Sequence, residues 1–226
     1  MHERGFTVAG KAPPEASELE SARARGFGVV ELYLERTHLQ DIAATVETVR
    51  ASEVAVSSVH TPHVPIDEPQ WLRRADRLAD ALDAYLVVHS NRIINAATAE
   101  LDRLDFRSEY GYENNPGASE RHVLNVILHR GHEFVLDTAH LYMAERNYLE
   151  AAERLLTEYG DQIRVVHLCD STLTDDGLAF GEGTVDLPAL TRLLKRKFEG
   201  LLVLEVMPEA QAAARQRLNS YGSESV

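Results

Sequence analysis

Short apolar runs rich in Val, Leu and Ile recur along the chain, and each is followed by a stretch whose apolar residues return at helical spacing. Continuous apolar runs of this length suit strands buried on both faces, and their alternation with helical stretches predicts βα units and a parallel sheet. The strand candidates are GFTVAG (5–10), GVVELYL (28–34), VAVSSVH (54–60), YLVVHS (85–90), SEYGYEN (108–114), EFVLDTA (133–139), IRVVHLCD (163–170) and LLVLEV (201–206). Helix candidates lie between them: PPEASELESARARG, LQDIAATVETVRAS, PQWLRRADRLADAL, ASERHVLNVILHRG, YLEAAERLLTEYG and LPALTRLLKRKFEG. Several close with Gly, which suits the left-handed residue that ends a helix. Between the fourth and fifth strands, NRIINAATAELDRLDFR (91–107) has room only for a short helix, so the outer ring is expected to be thinnest there.

Eight parallel strands with right-handed crossovers close naturally into a barrel, whereas an open doubly wound sheet would be recommended by a dinucleotide or phosphate loop. No GxGxxG or Walker sequence is present, and no nucleotide cofactor is expected. The expected fold is therefore a short α/β (β/α)8 TIM barrel, about 28 residues per unit, forming one domain over residues 1–226. Its C-terminal tail, at about 217–226, is expected to fray into small polar residues.

Composition narrows the function classes. With 226 residues, of which 44% are hydrophobic, the chain can bury one sizeable core and is too short for two full domains. A formal charge of −13 disfavours a protein-wide grip on a phosphate backbone, although a salt-adapted surface would carry the same acidity. The single Cys169 excludes an intrachain disulfide, fits a reducing cytoplasmic compartment and lies in an apolar run, where packing is its expected role. MHERGFTVAGKAPPEA lacks the apolar core of a signal peptide, and nowhere do eighteen apolar residues run together, so neither secretion by that route nor a membrane span is expected.

Chemistry is concentrated at the strand ends. His60, His89, Glu113, Asp137, His167 and Glu205 each fall at or near the C-terminal end of an expected strand. In a barrel those ends converge on one mouth, and so many imidazoles and carboxylates would be costly to bury unless paired or metal-bound. A divalent ion is the economical explanation: imidazole with carboxylate suits Mn, Zn or Co, with Mg or Fe as further candidates, and no thiolate ligand is indicated. Taken singly, any of these residues is more ordinarily a hydrogen-bonded structural group; their recurrence at equivalent points of different βα units is what carries weight.

The segments VELYLE, SVHTPH, VVHS, GYENNPG, FVLDTAH, VVHLCDS, GEGTVDL and GLLVLEV, in this order, give the chain a resemblance to the xylose isomerase-like barrels. That superfamily includes sugar isomerases and epimerases, inosose dehydratases and endonuclease IV, and the resemblance spans nearly the whole chain. It implies that Glu113, Asp137, His167 and Glu205 form a common metal quartet, and that His140, three residues after the Asp, contacts substrate or metal. It implies many self-associating relatives, so a homo-oligomer is a candidate state. Under the epimerase branch, Glu113 and Glu205 flank a sugar, sugar phosphate or related polyol and move protons beside a metal-polarised carbonyl, with His140 as a third catalytic candidate. One departure is visible: the Arg that the epimerases carry shortly after the quartet His is missing, since LCDST follows His167.

Under the endonuclease IV branch, the resemblance implies a multi-metal phosphodiesterase acting on abasic-site DNA. His60 and His89 match two further ligands and Asp175 matches the Asp of a later Asp-x-His, whose His position is Gly177 here. Nucleic acid is an expected partner only under this branch. His60 and His89 are equally suited to hydrogen-bonding sugar hydroxyls, and both uses stay open; His63 is a further mouth residue. A non-catalytic barrel is the third reading. His129 and His132 read as helix-end and turn residues, His122 as a helix residue, GEG (181–183) as a turn rather than a phosphate loop, and Asp186 as the N-cap of the next helix. Asp170 and Ser171 are expected to support the end of strand seven around His167.

Overall fold

The computed structural model describes residues 5–64, 68–89 and 103–221. All eight expected strands are present: β1 (Phe6–Ala12), β2 (Val29–Tyr33), β3 (Ala55–His60), β4 (Tyr85–Val88), β5 (Tyr110–Glu113), β6 (Glu133–Asp137), β7 (Ile163–Leu168) and β8 (Gly200–Leu204). They follow one another in sequence order in a closed parallel barrel, the (β/α)8 architecture that the alternation of apolar runs predicts. Among the described residues the helices are α1 (Ala16–Ala24), α2 (Ile42–Arg50), α3 (Pro69–Leu82), α4 (Glu120–Val126), α5 (Thr138–Ala144), α6 (Tyr148–Glu158), α7 (Leu187–Lys197) and α8 (Pro208–Ser220). The short helix expected within 91–107 falls mostly outside the described residues. None of the described helices is long and apolar enough to cross a membrane.

Two boundaries differ from expectation for identifiable reasons. β6 stops at Asp137 because its side chain turns to cap α5, accepting a 2.7 Å hydrogen bond from the His140 amide. The helix at the C-terminus continues through Ser220, beyond the expected onset of fraying, because Leu218 on its inner face is 1% exposed.

By contact density the chain forms two compact units, residues 9–115 and residues 1–8 with 116–226. In the first, β2 to β5 bury Val30, Leu32, Val59, Leu86, Val88 and Tyr112 under amphipathic α2 and α3. Asp76, in the middle of α3 and 4% exposed, accepts hydrogen bonds from the amides of Arg107 (2.9 Å) and Ser108 (3.0 Å). That anchor sets where the chain enters β5, and hence where Glu113 ends up. Asp76→Ala orphans both amides, and urea titration is expected to show a loss of about 2–3 kcal/mol.

In the second unit, β6, β7 and β8 bury Phe134, Leu136, Val166, Leu202 and Leu204 under α5 to α8, and Phe198 stacks on Phe6 at 6.2 Å. Cys169 is buried here, and burial pushes its thiol well up from the usual range, in keeping with a packing role.

Candidate functional site

In the 9–115 unit, parallel pairing puts Lys11 beside Glu31, Glu31 beside Ser58, and His60 beside both Tyr33 and Val87. Because strand side chains alternate between faces, one face carries Lys11, Glu31, Ser58 and His60, and the same parity brings up His89 and Glu113 one step past β4 and at the end of β5. Glu113 is fully buried, and its Oε2 lies 3.0 Å from His60 Nε2 and 3.2 Å from His89 Nδ1. The two imidazole nitrogens are 3.3 Å apart. His60 Nδ1 donates to the Thr61 carbonyl at 2.8 Å, which in the neutral ring leaves Nε2 as a lone pair turned toward the carboxylate. Burial lowers the pKa of His60, and the Lys11 charge lowers it further against the pull of Glu113. His63 joins this group with ring centroids 5.5 Å from His60 and 4.5 Å from His89, and burial with its two imidazole neighbours brings its pKa down to about 4. His60 and His63, biased toward the neutral form beside a buried carboxylate, are in the protonation state that metal ligation requires.

In the second unit, His167 at the end of β7 is fully buried, and its Nδ1 lies 3.0 Å from Oε2 of Glu205, the residue after β8. The carbonyl of His167 accepts from Thr138 Oγ1 at 2.9 Å, and the Glu205 amide donates to Leu168 at 3.0 Å, so both strand ends are held by backbone contacts. His140 sits on the first turn of α5 because Asp137 ends the strand and starts the helix. Its Nδ1 is 3.5 Å from Asp137 Oδ2 and its Nε2 is 3.0 Å from Asp176 Oδ2. The hydrogen bond from His140 holds the Asp176 carboxyl below its ordinary pKa.

Asp176 escaped the sequence reading, which singled out its neighbour. Asp175 is exposed and folded into a local turn, its carboxylate accepting from Thr172 Oγ1 (3.2 Å) and Thr174 Oγ1 (2.9 Å). The Lys11, Glu31 and Ser58 row was also missed, although an acid in the middle of the apolar run GVVELYL was a legible signal.

The loop after β7 resolves the question of the Gly-rich segment. Asp170, 2% exposed, accepts from the amides of Ser171 (2.9 Å), Gly181 (2.7 Å) and Val185 (3.2 Å), so a carboxylate of the chain itself occupies the amides that a phosphate would need. Asp170 thus staples the 170–185 loop. Asp186 caps α7 as expected, accepting from the Ala189 amide at 2.9 Å. A Cβ on Gly183 would stand 2.4 Å from Asp170 Oδ1 and 2.4 Å from the Ser171 carbonyl. Gly183→Ala is therefore expected to cost at least about 2 kcal/mol in urea titration by breaking this staple.

The donor sets fit a divalent cation. Ligand atoms bonded to one tetrahedral ion at about 2.0–2.1 Å stand roughly 3.3 Å apart, and in an octahedral shell roughly 2.9 Å apart. The atom pairs of Glu113, His60 and His89, and separately of His167 and Glu205, are 3.0–3.3 Å apart. His60, His63 and His89 also offer three imidazoles to one position. Oxygen and nitrogen donors without sulfur match the borderline first-row ions.

Comparison with known proteins bears on the fold. The family model described as xylose isomerase-like TIM barrel matches residues 103–221, more than half of the chain. Among solved structures, a D-tagatose 3-epimerase-like protein superposes with a TM-score of 0.75 at 21% identity, covering 94% of this chain and 96% of its own. The 3-keto-D-glucoside 4-epimerase of E. coli gives 0.72 at 13%, covering 96% and 100%. Endonuclease IV of Thermus thermophilus gives 0.68 at 19%, covering 98% and 100%. No curated protein matches by sequence.

Proposed function

Because the chain belongs to the xylose isomerase-like TIM-barrel family, we propose that it is a divalent-metal-dependent isomerase or epimerase of a sugar, sugar phosphate or related polyol. Glu113, Asp137, His167 and Glu205 would hold the ion, with Mn, Zn or Co the best fits to the donors. The observation that carries this reading is the pairing of a carboxylate with imidazole at the strand ends of each unit: Glu113 with His60 and His89, and Glu205 with His167. Solved relatives of similar fold that are named as sugar epimerases support it.

When bound, the ion supplies electrophilic polarisation of the carbonyl and an adjacent hydroxyl. The chain's own carboxylates do the rest. One of Glu113 and Glu205 takes the proton from the carbon next to the carbonyl, and the other returns one, to the opposite face for an epimerisation. Glu205, 23% exposed, is the more accessible of the two, and Glu113 is fully buried beside His60 and His89. His140 is held in orientation by Asp137 and Asp176, and it would donate to a substrate oxygen by exchanging its Nε2 contact with exposed Asp176 for that oxygen.

One observation favours the second reading, an endonuclease IV-like phosphodiesterase. The His60, His89 and Glu113 triangle has the dimensions of a metal shell of its own. Against it stand Asp175, turned into an exposed loop, Gly177 where a His ligand is needed, and the charge of −13.

The deciding experiment is elemental analysis of metal per folded chain, on protein purified without chelator, for the parent and for His60→Ala. One ion per chain, unchanged in the variant, together with turnover of a keto sugar supports the isomerase or epimerase. Two ions, one of them lost in His60→Ala, together with cleavage of abasic DNA transfers the assignment to phosphoester hydrolysis.

A further inference from the structure

Beside the imidazoles of the 9–115 unit lies a charged group that metal binding does not use. Glu31 in β2 is fully buried; it accepts from Ser58 Oγ at 2.8 Å and holds Lys11 Nζ at 3.5 Å. Lys11 itself keeps 12% of its side chain exposed. Thus the carboxylate is fully enclosed, and the Lys11 side chain is the partly exposed member of the pair.

Burying a Lys–Glu pair among Val and Leu commonly stabilises a fold less than an apolar pair of equal volume, so stability is a poor reason for its presence. Its placement offers a better one. Register puts Lys11, Glu31, Ser58 and His60 on the face that Glu113 shares. An ammonium is a compact charge with three donors and no acceptor, suited to an oxygen that carries or gains negative charge.

We propose that Lys11 is a substrate-contacting residue whose Nζ donates a hydrogen bond to the oxygen that gains negative charge as a keto sugar is enolised, with Glu31 and Ser58 as positioning residues holding the ammonium. This rests on the isomerase or epimerase reading. As a carboxylate removes the proton from the carbon beside the carbonyl, the C–H electron pair becomes the new C=C bond and the carbonyl π pair moves onto oxygen. Lys11 offsets that charge while keeping its proton, and the charge returns to the C=O bond when carbon is reprotonated. A donor that acts on charge developing in the transition state raises kcat rather than ground-state affinity.

The test follows solvent deuterium incorporation beside the carbonyl of D-tagatose and D-fructose by NMR, on Mn2+-loaded protein. Mn2+ affinity by calorimetry and Tm are measured on the same samples. Lys11→Met alone strands a buried carboxylate, so the informative variant is Lys11→Met with Glu31→Leu. It is expected to keep its Tm at or above that of the parent and its Mn2+ affinity within about threefold, and to lose kcat for exchange by about 10²–10³-fold with KM little changed. Glu31→Gln, which loosens the ammonium without removing it, should fall between.

Undiminished exchange in the double variant overturns the proposal. So does a lowered Mn2+ affinity or Tm, which makes Lys11 a support for the metal or the fold, and so does a rise in KM with kcat intact, which makes it a ground-state binding residue only. A parent that binds Mn2+ and exchanges no proton of either ketose sinks the isomerase or epimerase reading, and this inference with it; an active parent with an equally active double variant sinks this inference alone.

Discussion

Glu205→Gln is expected to lower turnover of the physiological substrate by at least about 10³-fold while leaving the fold intact. The amide matches the carboxylate in size and can occupy the same place 3.0 Å from His167 Nδ1, so strand β8 should end where it does now. It can neither take up a proton at neutral pH nor bring the negative charge that a divalent ion requires of its ligands. Glu205 is 23% exposed and lies one residue past its strand, so the core does not depend on it. Unchanged circular dichroism with activity gone is the expected pair of results, and activity comparable to the parent's would remove Glu205 from the site. Glu113→Gln should silence turnover as completely, and should also lower Tm, because Glu113 is fully buried between two imidazoles.

Removal of metal is expected to have the second large effect. Dialysis against a chelator should abolish turnover, and Mn2+ or Co2+ should restore it. A ligand held at about 100 times its dissociation constant stabilises the native state by about 2.7 kcal/mol, so Tm should fall by roughly 5–10 °C on chelation. Buried Glu113 and the second unit's Asp137 and Glu205 explain the direction: their negative charges are offset by the cation and left less compensated without it. Activity and Tm both indifferent to chelator would end the metal assignment.

Much of the candidate site could be read in the chain because its residues sit where a strand ends and a helical stretch begins, a junction that apolar periodicity marks well. His60, Glu113 and His167 lie at or next to observed strand ends, and His89 and Glu205 one residue beyond. Asp137 was expected at the end of β6, yet its work as the cap of α5 was not seen. That cap depends on the chain turning at Thr138, and apolar Ala139 and Leu141 extend a strand pattern as readily as they begin a helix. Asp170 was expected to support His167, and its carboxylate instead binds amides eleven and fifteen residues along the chain.

Local composition by itself determined the eight βα units, the parallel sheet and the polar residues at their ends, because strand and helix periods, Gly caps and chain length are properties of neighbouring residues. Which polar groups meet was decided by the tertiary structure alone. Asp175 and Asp176 are adjacent and chemically alike, yet one closes an exposed turn on Thr172 and Thr174 while the other reaches His140 on a different element. Lys11 and Glu31 lie twenty positions apart, and only the register of β1 against β2 makes them partners. Such pairings depend on loop path and strand register, which long-range packing sets and to which no local period corresponds.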